Sequence, residues 1–227
     1  MRPPNNLSDT KRSKRRDLAE LCVGYALILI VIWTPRPCQR LLYIATAVYL
    51  AAVLVISFTG WKQMGLTTVN LARSSWLVGV ALLGAAIAMV LAARMHTLQW
   101  PGGPMPFLKR YLGYAIWAVI QQVLLQVFFL ARLLRLLRGP RSAALAAAAI
   151  FSLAHLPNPI LTVCAFVWGI AACLLFLRYR NLVPLAVTHA ILGITLAITV
   201  PGPVIRNMRV GLGYLTYSAQ HIDHLNH

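Results

Sequence analysis

Leu112–Ala131 reads LGYAIWAVIQQVLLQVFFLA, twenty residues without a charge but with three amides, Gln121, Gln122 and Gln126. At about 1.5 Å per residue such a helix reaches about 30 Å, the thickness of a bilayer's hydrocarbon core. An amide facing lipid would forfeit its hydrogen bonds, so the glutamines must look into a bundle. Gln122 and Gln126 are four residues apart and share a helix face, while Gln121 lies about 140° from Gln126. The plainest role for any one of these amides is to hydrogen-bond one helix to another. Three on one arc suggest a site.

The chain has 227 residues, of which 59% are hydrophobic and 11% charged, which excludes an ordinary soluble domain. Comparable apolar runs cover Leu18–Trp33, Leu41–Phe58, Trp76–Ala93, Ser142–Leu156, Ile160–Leu177 and Leu182–Thr199. The reading is an all-α, polytopic transmembrane helix bundle of about seven spans, the Ser142–Leu156 span being the shortest. Residues 1–17 are a basic cytoplasmic arm, 18–99 an N-terminal half of three spans and 100–111 a linker rich in proline and glycine. Residues 112–200 are a core of four spans and 201–227 a tail. Within the tail, Val210–Tyr217 is too short to span, so it is expected at the interface or packed under the bundle. The first apolar run follows five basic residues but exits through Thr34-Pro35-Arg36, without a small-residue cleavage site, and reads as a retained anchor rather than a signal peptide.

A formal net charge of +17 raises nucleic-acid binding, but the basic residues flank apolar helices and no recognition module is present, so no nucleic-acid partner is expected. With the N-terminus inside, fourteen lysines and arginines lie on the inner side and seven on the outer, which favours a cytoplasmic N-terminus. No organelle signal is present, and a bacterial inner membrane is the expected location. Arg132, Arg135, Arg138 and Arg141 read as a collar for anionic lipid headgroups, although on a continuous helix Arg132 falls within about 20° of Gln121.

Ionisable groups at membrane depth usually mark a site, and two histidines qualify: His155, ending the fifth span, and His189, in the seventh. His96 is near a helix end, and His221, His224 and His227 sit in the hydrophilic tail. Four cysteines form no CxxC pair, and Cys164 and Cys173 face opposite sides of one helix. Two imidazoles without a carboxylate or thiolate make a thin shell for zinc, so neither a metal nor another cofactor is expected. Between Glu20 and Asp223 there is no aspartate or glutamate, and any chemistry in the bundle must run without a carboxylate.

Gln121-Gln122 with Gln126 four positions later, then Phe151 through His155, then His189 through Gly193, resembles the CAAX-protease and bacteriocin-processing (CPBP, or Abi) family. That family's pattern is EExxxR, FxxxH and HxxxN or HxxxD, and the resemblance covers roughly the second half of the chain. It implies an all-helical intramembrane endopeptidase in which the first glutamate and the histidines activate water and an asparagine stabilises an oxyanion. Carried over, the candidate catalytic residues are Gln121 at the water-activating place, Gln122 and Gln126 as its partner pair, and His155 and His189. Glutamine can orient a water but cannot take its proton. Gly193 lacks a side-chain donor. The glutamines at the glutamate and arginine places pair as neutral amides and leave no arginine stranded, as in a site rebuilt for another purpose.

Three functions follow. One is a divergent intramembrane peptidase acting on a membrane-embedded or lipid-modified peptide, with a histidine as base. Another is an enzyme that isomerises or cyclises a membrane lipid or isoprenoid, using His155 and His189 as acid and base. The third is a non-catalytic partner that binds a lipid tail or a transmembrane helix. Trp117, Phe151, Asn158 and Trp168 are the candidate substrate-binding residues.

Overall fold

The computed structural model describes residues 7–223 apart from Thr59, and the side chains of 13–217 within that range. Most of the basic arm's side chains and those of His221, His224 and His227 lie outside it. Every element among the described residues is helical. In order these are α1 (Leu7–Trp33), α2 (Arg36–Ile56), the single turn α3 (Leu71–Ser74), α4 (Trp76–Arg94) and α5 (Pro104–Val123). A π-helical stretch, Leu124–Leu130, joins α5 to α6 (Ala131–Leu136). Then come α7 (Pro140–Leu153), α8 (Pro159–Tyr179), α9 (Val183–Thr199), α10 (Gly202–Ile205), a 3₁₀ turn (Arg206–Met208) and α11 (Gly211–Asp223).

The protein is an integral membrane protein built as an all-α bundle. Four helical stretches are long and apolar enough to cross a membrane: Arg36–Ile56, Leu71–Arg94, Pro104–Leu136 and Pro159–Tyr179. The other apolar helices are short. α7 has 14 residues and α9 has 17, about 21 and 25 Å of helix against a core of about 30 Å. α7 is short because it is central. Ala143, Ala144, Ala147 and Ala148 are each at most 1% exposed, and a Cβ on Gly169 of α8 would meet the backbone of Ala148 at 3.1 Å. Small side chains bring the two backbones together, which substitutes for the hydrophobic force that lipid does not supply between helices.

Two fully buried asparagines bracket α8 and fasten irregular backbone to it. At its start, Asn158 Oδ1 accepts from the amide of Leu161 at 3.2 Å, capping the helix, while Nδ2 donates to the carbonyls of Ile205 and Arg209 at 2.9 and 3.1 Å. Beyond its end, Asn181 Nδ2 donates to Thr67 and Val69 at 2.8 and 2.9 Å and Oδ1 accepts from Val183 at 3.1 Å. Leu182 adds a bond to the carbonyl of Gly65, which sits at φ +73°, a conformation that glycine adopts without a Cβ penalty. Loop carbonyls at these depths are thereby paired.

Several sequence expectations are modified. α1 begins at Leu7, well inside the expected arm, and α5 begins at Pro104, so most of the expected linker is helix. Proline fits there because the first turn has no carbonyl for its missing N–H. Val210–Tyr217, expected at the interface or packed under the bundle, falls largely in α11, which packs on α1: Gly211, at φ +54°, lies against Ile32 and donates its N–H to the carbonyl of Leu156 at 2.8 Å. Of the four arginines expected as a headgroup collar, one is buried and one, though exposed, is ion-paired. Arg132 is 1% exposed and pairs with Glu20 at 2.8 Å, and Arg135 pairs with Asp17 at 2.6 Å. The π stretch, whose bonds run i to i+5, also breaks the continuous wheel that put Arg132 near Gln121.

α1 covers this stretch from outside. A Cβ on Gly24 would meet the Phe128 ring at 2.6 Å, and Tyr25 stands edge-on to Phe129 at 6.1 Å.

Candidate functional site

The amide stripe predicted from Leu112–Ala131 lies where α5 passes into the π stretch and meets α9. Gln122, fully buried, places Nε2 3.1 Å from His189 Nδ1, and Gln126 Nε2 donates to Gln122 Oε1 at 3.2 Å. An amide N–H can only donate, so in this polarity His189 accepts at Nδ1 and carries its proton on Nε2. Gln126 is 1% exposed, its Oε1 meets no nitrogen or oxygen donor among the described residues, and the Cys173 thiol lies beside it. The result is a neutral relay of two amides and one imidazole spanning two helices.

His155 is held separately. Its Nδ1 lies 2.8 Å from the carbonyl of Phe151 one turn earlier. A carbonyl only accepts, so the proton is on Nδ1 and the Nε2 lone pair has no partner among the described residues. The Phe151 ring packs in T-shaped contact with both imidazoles, with ring centres 5.0 Å from His155 and 6.0 Å from His189. Trp168 completes the aromatic wall at 6.0 Å from His189, and its indole N–H, like the hydroxyl of Thr188, is buried without a partner among the described residues. Unpaired buried donors beside a polar relay are what an additional occupant would satisfy.

The other sequence candidates are placed elsewhere. Gln121 is half-buried and makes no side-chain hydrogen bond among the described residues. Trp117, one turn before it, leans on Tyr43 of α2 at 6.3 Å and is 37% exposed, and has no ring contact with either histidine. Asn158 is 0% exposed, with both polar atoms engaged in the bonds described above, so no amide remains for a substrate. Both amide choice and imidazole wall therefore centre on Gln122, Gln126, Phe151, His155, Trp168 and His189.

Tyr114 was missed by the sequence reading. It lies two turns before Gln122 on the same face of α5, with the fully buried Ala118 between them. An added Cβ on Gly193 would overlap the Tyr114 hydroxyl and come within 2.6 Å of its ring. The phenol fills the notch left by the glycine, one turn past His189. The signal in the sequence was the pair, a glycine at the end of the third motif and a tyrosine at helical spacing from the first.

Among the described residues no carboxylate reaches this site. Among the described side chains the carboxylates are Asp17 and Glu20. Asp17 is held by Arg135, and Glu20 by Arg132 and by Arg16 at 2.7 Å. Arg132 is ten residues beyond Gln122, about 15 Å along the helix. No group of three or more His, Cys, Asp or Glu side chains suited to a metal occurs among the described residues, and two imidazoles fall short of the three protein ligands that catalytic zinc takes. A cleft of about 460 Å³ lies apart from the relay, lined by Asn70, Arg73, Arg178 and Tyr179.

Replacing Gln122 by leucine keeps the volume but leaves His189 Nδ1 and Gln126 Nε2 unpaired. The expected loss is about 2 kcal/mol of stability, read as a lower thermal midpoint in detergent. An unchanged midpoint would mean that the relay contributes nothing to packing α5 on α9.

In comparisons with known proteins, the family model described as Rce1-like, Type II CAAX prenyl endopeptidase Rce1-like, matches residues 104–195, from the first residue of α5 into α9. No curated protein and no solved structure matches.

Proposed function

We propose that this membrane protein, whose residues 104–195 match the Rce1-like CAAX prenyl endopeptidase model, binds a lipid-modified or membrane-embedded peptide at the His155–His189 site and does not cleave it with carboxylate-activated water. The observation that carries this reading is the Gln122–His189 bond at 3.1 Å. The polar partner of the imidazole is an amide, and an amide orients a water without accepting its proton. The lipid tail is assigned to the wall of Phe151 and Trp168, and the peptide to the polar side of the relay.

The test is equilibrium binding of a peptide ending in Cys-aliphatic-aliphatic-X, farnesylated on the cysteine, to the full chain in lipid nanodiscs, beside the same peptide without its lipid. Saturable binding that needs the farnesyl group supports the reading. Equal or no binding of the two peptides would refute it.

A second reading is favoured by the free Nε2 lone pair of His155 beside an aromatic wall. It is acid–base chemistry on an isoprenoid or lipid chain, with His155 as base and His189 Nε2–H as acid. Its test is untargeted mass spectrometry of lipid extracts from cells carrying wild type or the His155→Ala/His189→Ala variant. A product that depends on both histidines would establish this reading, and identical extracts would remove it.

We also assign the N-terminus to the cytoplasmic side of a bacterial inner membrane, supported by fourteen inner against seven outer basic residues. Exposed Arg138 and Arg141 keep the role of headgroup contacts. An alkaline phosphatase fused to the N-terminus is expected to be inactive, and an active fusion would invert the topology.

A further inference from the structure

The Tyr114 phenol sits at the place of a residue-193 Cβ. Residues one helical turn apart have Cβ atoms about 5–6 Å from one another, so the hydroxyl stands about that far from the Cβ of His189, on the same face of α9. It makes no hydrogen bond to any described residue, and Tyr114 is only partly buried. The hydroxyl is not among the fully buried polar atoms, so it is open to a ligand and has bonding capacity that no described residue takes up. The notch is also specific: with any Cβ at position 193 the phenol could not be there. α5 and α9 thus hold a neutral O–H donor one turn from an imidazole whose other side is fixed by Gln122.

We propose that the Tyr114 hydroxyl, seated in the Gly193 notch, donates a hydrogen bond to a backbone carbonyl oxygen of the bound substrate, at the residue that carries the lipid. This rests on the reading of the site as a receptor for a lipid-modified peptide, and it names the group that the peptide meets. A lipid-modified residue has one long apolar chain and, at its root, a polar backbone. With the chain against Phe151 and Trp168, the first acceptor to be buried is its own carbonyl. A donor without a protein partner is matched to it, whereas the amides of Gln122 and Gln126 are occupied by each other and by His189.

The experiment is a double cycle on the full chain in nanodiscs. One axis is Tyr114→Phe, which keeps the ring and removes the hydroxyl. The other is a farnesylated peptide against a twin with an (E)-alkene in place of the amide that follows the farnesyl-cysteine, which removes the carbonyl oxygen and keeps the geometry. The single changes are each expected to raise Kd about five- to tenfold, and the two together no more than one alone. Tyr114→Phe is expected to leave the thermal midpoint unchanged. Gly193→Ala, which displaces the phenol, is expected to weaken the natural peptide as much as Tyr114→Phe does.

Additive losses, or a fall of several degrees in the Tyr114→Phe midpoint, would overturn the inference while leaving the receptor reading in place. Failure of wild type to bind either peptide would overturn both.

Discussion

Replacing Arg132 by alanine is expected to destabilise the folded chain by about 3–5 kcal/mol, the cost of removing one member of a buried ion pair. Arg132 is 1% exposed, donates to Glu20 at 2.8 and 3.0 Å, to the carbonyl of Phe128 at 3.0 Å and to Ser57 at 3.2 Å, and stacks on the Phe128 ring at 4.3 Å. Its loss leaves Glu20, also largely buried, with only the exposed Arg16 as partner. The pair ties α1 to the end of the helix that bears the amide relay, so α1 should loosen before the rest of the bundle. Thermal unfolding in detergent, together with proteolysis within α1, reads the effect. Arg132→Met with Glu20→Met, which removes both charges and keeps the volume, should recover most of the loss. If the double variant is as unstable as Arg132→Ala, the pair is not acting as a matched unit.

Asn158→Ala has the next largest expected effect, about 3 kcal/mol. It deletes the cap of α8, typically worth about 1 kcal/mol, and leaves the buried carbonyls of Ile205 and Arg209 unpaired at about 1 kcal/mol or more each. Because those carbonyls belong to the strap between α9 and α11, hydrogen exchange should rise in 201–210 as well as at the start of α8. Asn158→Asp separates the two roles: it keeps the capping oxygen and loses the donor, and is expected to lie between wild type and alanine. A substrate-binding role without structural cost would instead leave the thermal midpoint of Asn158→Ala unchanged.

The helices of this fold were legible because apolar runs ended by prolines and arginines are strong signals. Each run identified in the sequence falls on helix, and the match of residues 104–195 to the CAAX prenyl endopeptidase family model bears out the resemblance to that family. Which runs are long enough to cross was less legible. α7 reads as a span by composition, but its alanines let it sit inside the bundle at only 14 residues. Pairings distant in sequence could not be read at all: Arg132 and Glu20 are separated by 112 positions, and headgroup contact was the natural local reading of an arginine row. Trp117 is a different case. An aromatic one turn from a glutamine on a helical wheel says nothing of which neighbour it faces, and here it faces α2.

At the site, the sequence pointed to the two histidines and to an amide stripe, and the structure adds the division of labour among the amides. Gln122 and Gln126 form the relay, and Gln121 stands aside from it. The neutral character of the relay has a physical rationale. A glutamate at position 122 would need a cation to balance it in the bundle, and position 126 is glutamine rather than arginine, so two amides satisfy each other and the imidazole without a buried charge. The same economy leaves no carboxylate at these positions to take a proton from water. Tyr114 went unseen because its meaning depends on Gly193, 79 positions later in the chain.

The most direct test of the central claim is mass-spectrometric detection of the tripeptide released when a farnesylated Cys-aliphatic-aliphatic-X peptide is incubated with the wild-type chain in nanodiscs under conditions where it is bound. The account predicts bound, intact peptide with no tripeptide above a protein-free control. Tripeptide released by wild type and lost in both His155→Ala and His189→Ala would contradict it, and would show that the imidazoles alone activate water.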